Sequence, residues 1–199
     1  GAAVITSSSA DGGLDLVQTF SDRSPGDYYL FDSAAKKADH VVSKAQWIDP
    51  ADMSPMQAIE FKARDGLAIK GYLTVPKGAS GKNMPMVVLP HGGPFGVGDS
   101  WDYQDEVQML ASAGYAVLQV NFRGSGGRGR AFEQAGARQH GLAMQDDVTD
   151  GTRWAIQQGI ADPSRICSDG ASHGGYAALK GAAKERSLCK CAAGYVGGY

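Results

Sequence analysis

Ser172 stands between two glycines in the run Asp169-Gly170-Ala171-Ser172-His173-Gly174-Gly175-Tyr176. The Gly-x-Ser-x-Gly spacing has a mechanical meaning. A strand arrives, the chain turns sharply and a helix leaves. The serine hydroxyl is exposed on the turn, and the glycines let backbone and helix pass close to it. A serine so placed can attack a carbonyl carbon and form an acyl-enzyme, provided a base takes its proton. In a chain with 28 glycines the motif alone is weak evidence, so its neighbours decide. Residues 164–167 read as a short strand, and residues 176–184 as a helix of small residues able to pack tightly on a sheet. Strand, turn and helix thus come in the required order. The competing reading is a glycine-rich helix start with no chemistry.

Attack on a carbonyl creates an oxyanion, which needs hydrogen-bond donors. Pro90-His91-Gly92-Gly93-Pro94 directly follows the apolar run 86–89. In an α/β hydrolase a glycine-rich loop after an early strand supplies one backbone N–H, and the residue after the nucleophile supplies the other. Here those donors are the N–H groups of Gly93 and His173. The alternative is a tight turn without a ligand. His91 reads as a brace for this loop, not as a base. A second glycine cluster, Gly124-Ser125-Gly126-Gly127-Arg128-Gly129, fits Gly-x-Gly-x-x-Gly and follows a strand at 115–120. In a dinucleotide site the ribose-binding acid ends a second strand. Asp146 and Asp147 instead open a polar helix, so no cofactor is expected. The cluster reads as a flexible loop carrying Arg123, Arg128 and Arg130 beside the site.

These residues must be held by a scaffold. Residues 1–45 read as short strands separated by turn signals, at about 2–6, 14–20, 28–32 and 40–42. Such a meander is one edge of something larger, for example a propeller blade. Residues 46–58, with Pro50 and Pro55, read as a linker. The alternating runs 59–64 and 67–75 flank Asp65-Gly66, a hairpin signal. Beyond them the pattern changes to apolar strands at 86–89 and 115–120 alternating with helices at 102–113 and 146–158, the signature of an α/β sheet.

Net charge is −2, from 19 basic and 21 acidic residues. That argues against a general nucleic-acid binder or a binder of acidic membranes. No apolar run approaches the roughly 20 residues of a membrane span. The first six residues lack the basic segment and apolar core of a signal peptide. Cys167, Cys189 and Cys191 make neither a disulfide framework nor metal spacing, and are expected to be buried or spare thiols.

Taken in order, these pieces resemble the prolyl oligopeptidase family of serine peptidases, particularly its acylaminoacyl-peptidase-like branch. Residues 1–45 resemble the last strands of the family's β-propeller. Phe61-Lys62-Ala63-Arg64-Asp65-Gly66 and Gly71-Tyr72-Leu73-Thr74-Val75-Pro76 resemble the entry to its hydrolase domain. His91-Gly92-Gly93-Pro94, Asn121-Phe122-Arg123-Gly124-Ser125 and the serine run resemble its signature blocks. The resemblance implies a few antiparallel propeller strands over 1–45, a linker over 46–58, and the N-terminal part of an α/β-hydrolase domain over 59–199. It further implies hydrolysis of short peptides at Ser172, with no cofactor. Two positions depart from the family: His173 stands where tyrosine is usual, and Ser168-Asp169 where an apolar pair is usual.

A nucleophilic serine also needs a histidine and an orienting carboxylate, which in this fold come after the serine as Asp or Glu, then His. After Ser172 the sequence has only Glu185, and no histidine beyond His173. The chain is therefore expected to be a piece of a larger enzyme, inactive alone. Its covering partner would be the remainder of its own chain or a homo-oligomer. The readings from other classes are a non-catalytic hydrolase-like binding module and a carboxylesterase.

Overall fold

The computed structural model describes residues 1–198, so Tyr199 lies outside the described residues. The first four strands are β1 (Ala2–Ser8), β2 (Leu14–Phe20), β3 (Asp27–Asp32) and β4 (Lys37–Ser43). They pair in chain order as an antiparallel meander. Asp11 shows why the first turn closes: its carboxylate accepts the Ser9 hydroxyl and the Gly13 N–H at the tip. These bonds to the ionised form, the serine's first, hold the Asp11 carboxyl below its ordinary value. β1 and β4 are exposed along nearly their whole length, so this sheet buries no core of its own.

The core lies in a second sheet of six strands in the order β10-β9-β7-β8-β6-β5. β5 (Met56–Lys62) and β6 (Ala68–Thr74) form the expected hairpin. Gly66 in its loop has φ +88°, and its N–H donates to Ala63 O. A left-handed glycine closing a loop longer than two residues is the bulged alternative to the two-residue Asp-Gly turn. β5 begins at Met56, so the irregular connection is shorter than the predicted linker. Next come β7 (Met84–Val88), α1 (Asp105–Ser112), β8 (Ala116–Asn121), α2 (Arg130–Ala135), α3 (Ala143–Gln157) and β9 (Ala161–Ser168). α4 (His173–Lys184) and the two-residue β10 (Cys191–Ala192) follow. β10, β9, β7 and β8 are parallel, whereas β6 and β5 are antiparallel additions.

β8 is largely apolar because both faces are covered. Leu118 and Val120 pack in the cluster that holds Met144 and Val148 of α3, while Val117 packs with Val107 of α1. Leu118, Val120 and Val117 are fully buried, worth about 1.5–3 kcal/mol each relative to exposure. The two sheets meet at a polar seam. The Asp22 carboxylate accepts the Met56 N–H at 2.8 Å. The buried Gln108 side chain of α1 donates to Asp22 O and Ser54 O and accepts the Ser54 N–H.

The cysteines depart from expectation. Cys167 of β9 and Cys191 of β10 sit opposite one another in the parallel register and form a disulfide, and Cys189 alone is free. Strand register is what brings the two thiols together, and register is not visible in their sequence spacing.

Candidate active site

The chain passes from β7 through α1 to β8 on one side, then crosses back through α3 to β9 on the other side of β7. The loops leaving the carboxyl ends of β7 and β9 therefore meet at the point where strand order reverses, the usual ligand crevice of an open α/β sheet. The loop after β7 carries His91, Gly92 and Gly93. The turn after β9 carries Ser172.

Ser172 has φ +55° and ψ −124° immediately before α4. For a non-glycine residue this costs on the order of 1–3 kcal/mol and persists only where the surroundings impose it. They do so through close glycine contacts. A Cβ on Gly170 would come within 2.6 Å of the Gly174 backbone, and one on Gly174 within 2.1 Å of Pro90 O. The Gly-x-Ser-x-Gly spacing thus lets the turn fold against both its own helix and the β7 loop. The Ser172 N–H donates to Tyr195 O at 3.1 Å, and Tyr195 N–H donates to Gly170 O at 3.2 Å.

Gly92 faces the turn, since a Cβ there would lie 3.6 Å from Ser172 Cβ. Gly93 has φ +115° and precedes a cis Pro94. Among the described residues neither the Gly93 nor the His173 N–H donates to a protein acceptor outside regular elements. His173 begins α4, so its N–H is one of the helix's orphan donors and stands at the positive end of the helix dipole. The two predicted donors and Ser172 are thus brought to one crevice.

His91 braces the loop as expected. Nδ1 lies 2.7 Å from Gly92 O, Nε2 lies 2.8 Å from Ser125 Oγ, and the ring stacks on Phe122 at 4.3 Å. Burial holds its pKa below the ordinary value. His173 packs in a cluster with His140, Phe122 and Tyr176 at centroid distances of 4.9, 5.4 and 5.7 Å. Burial, then the neighbouring His140 and His91, lower the His173 pKa to about 4. Neither ring makes a hydrogen bond to the Ser172 hydroxyl.

This shift carries a prediction for stability. The unfolded chain takes up the His173 proton near the ordinary 6.5, while the folded protein refuses it down to about 4. Stability is therefore lost as pH falls through that window, and is unaffected above it. The ring is half-buried, so solvent screening trims the effect to about 1–2 kcal/mol. His173→Phe is expected to flatten this part of the melting temperature against pH between 6.5 and 4. An unchanged slope would refute it.

Two of the three arginines around the second glycine cluster, Arg123 and Arg128, are tied into the fold. Arg123 donates through its backbone N–H, Nε and Nη2 to both oxygens of the buried Asp147, and through Nη1 to Asp65. The Asp147 hydrogen bonds, set against burial, hold the guanidinium above its ordinary value. Arg128 donates to Ala68 O and lies 4.1 Å above the Phe132 ring. The loop is pinned rather than flexible: Gly126 N–H donates to Val97 O and Gly96 N–H to Gly124 O. The polar pair before the elbow has partners too. The Ser168 hydroxyl and the Asp169 N–H both donate to Val88 O, and the Asp169 carboxylate accepts the Gly170 N–H.

Sequence reasoning missed His140, which also packs edge-on against Phe95 of the loop after β7 at 5.4 Å. It missed Asp99, whose carboxyl accepts the Gln119 amide at 2.8 Å and is raised to about 7 by burial. No local pattern marks either residue. A cavity of about 470 Å³ lies not at Ser172 but at the seam between the sheets, lined by Phe20, Trp47 and Tyr103 among others. Among the described residues no group of three or more metal-ligating side chains is found. Among the same residues no helix is long and apolar enough to cross a membrane.

Residues 101–199 match the model of the prolyl oligopeptidase family. The chain is 36% identical over 177 residues to dipeptidyl aminopeptidase BIII of Pseudoxanthomonas mexicana, covering 85% of this chain and 26% of that protein. It is 32% identical over 200 residues to dipeptidyl peptidase family member 6 of Caenorhabditis elegans, covering 90% and 27%. A puromycin-hydrolysing peptidase of Mycobacterium tuberculosis superposes with a TM-score of 0.81 at 26% identity, over 94% of this chain and 30% of that one. The acylaminoacyl peptidase of Pyrococcus horikoshii superposes at 0.77 and 25% identity, with the same two coverages. The chain spans about a quarter of the length of the curated relatives it matches.

Proposed function

The chain belongs to the prolyl oligopeptidase family, and from that premise we propose that Ser172 is the nucleophile of a serine peptidase acting on short peptides. The observation that carries the reading is the left-handed serine at the switch point, with the N–H groups of Gly93 and His173 unspent beside it. Ser172 Oγ adds to the scissile carbonyl carbon as a histidine takes its proton. The carbonyl oxygen becomes an oxyanion held by the two N–H groups. The tetrahedral centre collapses to an acyl-enzyme, and the histidine returns the proton to the leaving amine. Water then repeats the sequence and frees Ser172.

In this fold the histidine comes after the nucleophile, beyond a carboxylate. We place both in a part of the whole protein outside these 199 residues. Residues 1–45 would be the last strands of its propeller, 46–58 a linker and 59–199 the first part of the hydrolase domain. The 199-residue piece alone would turn over no peptide.

A fluorophosphonate mimics the tetrahedral centre and tests the assignment. In the whole protein it is expected to label Ser172 and no other serine. Ser125 is fully buried with its hydroxyl bonded to Phe122 O, and Ser168 is buried with its hydroxyl on Val88 O. A label on either, found by mass spectrometry of the digest, would move the site.

Gly93 provides a second test. A side chain there crowds the Val97 methyl at 2.2 Å and must hold a φ of +115°, a conformation that strains any non-glycine residue and favours turning the N–H away. Gly93→Ala is expected to lower kcat by about 10²–10³, the worth of one oxyanion donor, with KM little changed. Unchanged turnover would make the loop a simple turn.

A further inference from the structure

We propose that the Cys167–Cys191 disulfide positions Ser172, so that oxidised and reduced protein differ in the reactivity of this serine; the proposal rests on reading Ser172 as the nucleophile. The bond joins residues 24 apart in sequence, and the loop it closes contains the whole elbow and α4. On one side it grips β9 near the strand's carboxyl end, just ahead of the elbow. On the other it grips β10, which pairs with β9 in parallel at Cys191 and Ala192.

The segment around and beyond β10 supports the nucleophile. Lys190 N–H donates to Ile166 O and Ala193 N–H to Ser168 O, flanking the disulfide with backbone bonds. The same zipper continues as Tyr195 N–H to Gly170 O, then Ser172 N–H to Tyr195 O. Ala171 and Tyr195 form an isolated parallel bridge. The contact is tight enough to need glycine on both sides: a Cβ on Gly175 would lie 2.9 Å from Tyr195 O, and one on Gly194 would lie 2.7 Å from Gly175 O. The carbonyl that fixes the Ser172 backbone therefore sits four residues after Cys191, on the segment that the disulfide ties to β9. The covalent bond is what keeps that segment in register with β9.

A small dithiol is the reductant for this bond. In the exchange one thiolate of the dithiol attacks a disulfide sulfur, and its second thiol displaces the mixed disulfide. The protein gains two electrons and two protons as Cys167 and Cys191 thiols, and the dithiol leaves as its cyclic disulfide. With the link gone, segment 190–195 loses its covalent tie to β9, and the Ser172 N–H loses a fixed acceptor. Small displacements of a reacting group are costly, so a loss in kcat of about 10- to 100-fold is expected, with KM changed little.

The test uses the whole protein, oxidised or treated with dithiothreitol, at a temperature where circular dichroism shows both forms folded. The expected result is a drop in kcat and in the rate of fluorophosphonate labelling, without a matching rise in KM, restored on reoxidation. The double variant Cys167→Ala/Cys191→Ala should be slow in both conditions. Cys189→Ala should respond like the parent, which separates the free thiol from the bonded pair. If the double variant does not fold, the dithiothreitol comparison decides alone. Equal rates in oxidised and reduced protein, or alkylation of Cys167 and Cys191 in protein never exposed to reductant, would overturn the proposal. If Ser172→Ala keeps turnover and label, it is the nucleophile assignment that fails. If that variant is dead while reduction changes nothing, only the disulfide's role fails.

Discussion

Ser172→Ala in the whole protein is expected to lower turnover by about 10⁶, the worth of a catalytic triad whose members act as a unit. The substitution removes one oxygen and leaves the strained backbone in place, because that backbone is imposed by Gly170, Gly174 and Tyr195 O and not by the hydroxyl. Folding and substrate binding should therefore survive while chemistry stops. The N–H groups of Gly93 and His173 remain, so a residual rate of about 10³–10⁴ over water is expected if they stabilise the oxyanion as proposed. The measurement is kcat on a chromogenic peptide, with KM or inhibitor affinity as the control for binding. A loss of only tenfold would mean that another nucleophile carries the reaction and that the left-handed serine serves the fold alone.

Asp147→Ala is expected to destabilise the α/β part by about 3–5 kcal/mol, the cost of leaving a buried charge without its partner. The Asp147 side chain is 0% exposed and that of Arg123 10%, and three Arg123 donors end on the aspartate. Asp65 cannot replace it, being 49% exposed and in contact with Nη1 alone. Burial by itself pushes the Asp147 carboxyl up; the Arg123 hydrogen bonds oppose this and make the ionised form tolerable. Arg64 and Asp150 make an equally short contact near the surface, with Arg64 43% exposed. Asp150→Ala should therefore cost at most about 1 kcal/mol, because water screens the pair and both side chains must be ordered to form it. A thermal melt separates the two cases, since 3–5 kcal/mol corresponds to about 6–20 °C in a domain of this size. Similar small shifts for both variants would show that the buried aspartate is held neutral and that its hydrogen bonds, not its charge, matter.

The elbow is legible in the sequence because its constraint is local. Gly170 packs against Gly174, and Gly174 against Pro90, and the spacing of three residues records that contact. The loop at Gly93 is legible for the same reason. The glycine run at 124–129 misleads on flexibility, since the residues that pin it, Asp147, Val97 and Gly96, lie elsewhere in the sequence. Ser168 is out of place in a buried strand until Val88 O is found to accept its hydroxyl across the sheet. The disulfide is invisible because two cysteines in adjacent parallel strands meet only when register is known. β10, at two residues, carries no periodic signal. His140 reaches His173 from the loop before α3, and nothing in its neighbourhood announces an aromatic partner.

The order of strands in the sheet also bears on synthesis by the ribosome. The hairpin of β5 and β6 can close as soon as it emerges, but the free edge of β6 pairs with β8, not with β7, which is made first. β8 begins roughly 40 residues after β6 ends, which at 5–20 residues per second is about 2–8 s of elongation. Through that interval the nascent chain presents an unpaired strand edge bearing Ile69 and Leu73, both destined for the core. β7 waits beside it with no permanent neighbour until β8 and β9 arrive. A holding chaperone, or a pause in translation after residue 121, would act on this interval, and the yield of soluble protein should respond to the pace of codons between residues 75 and 115.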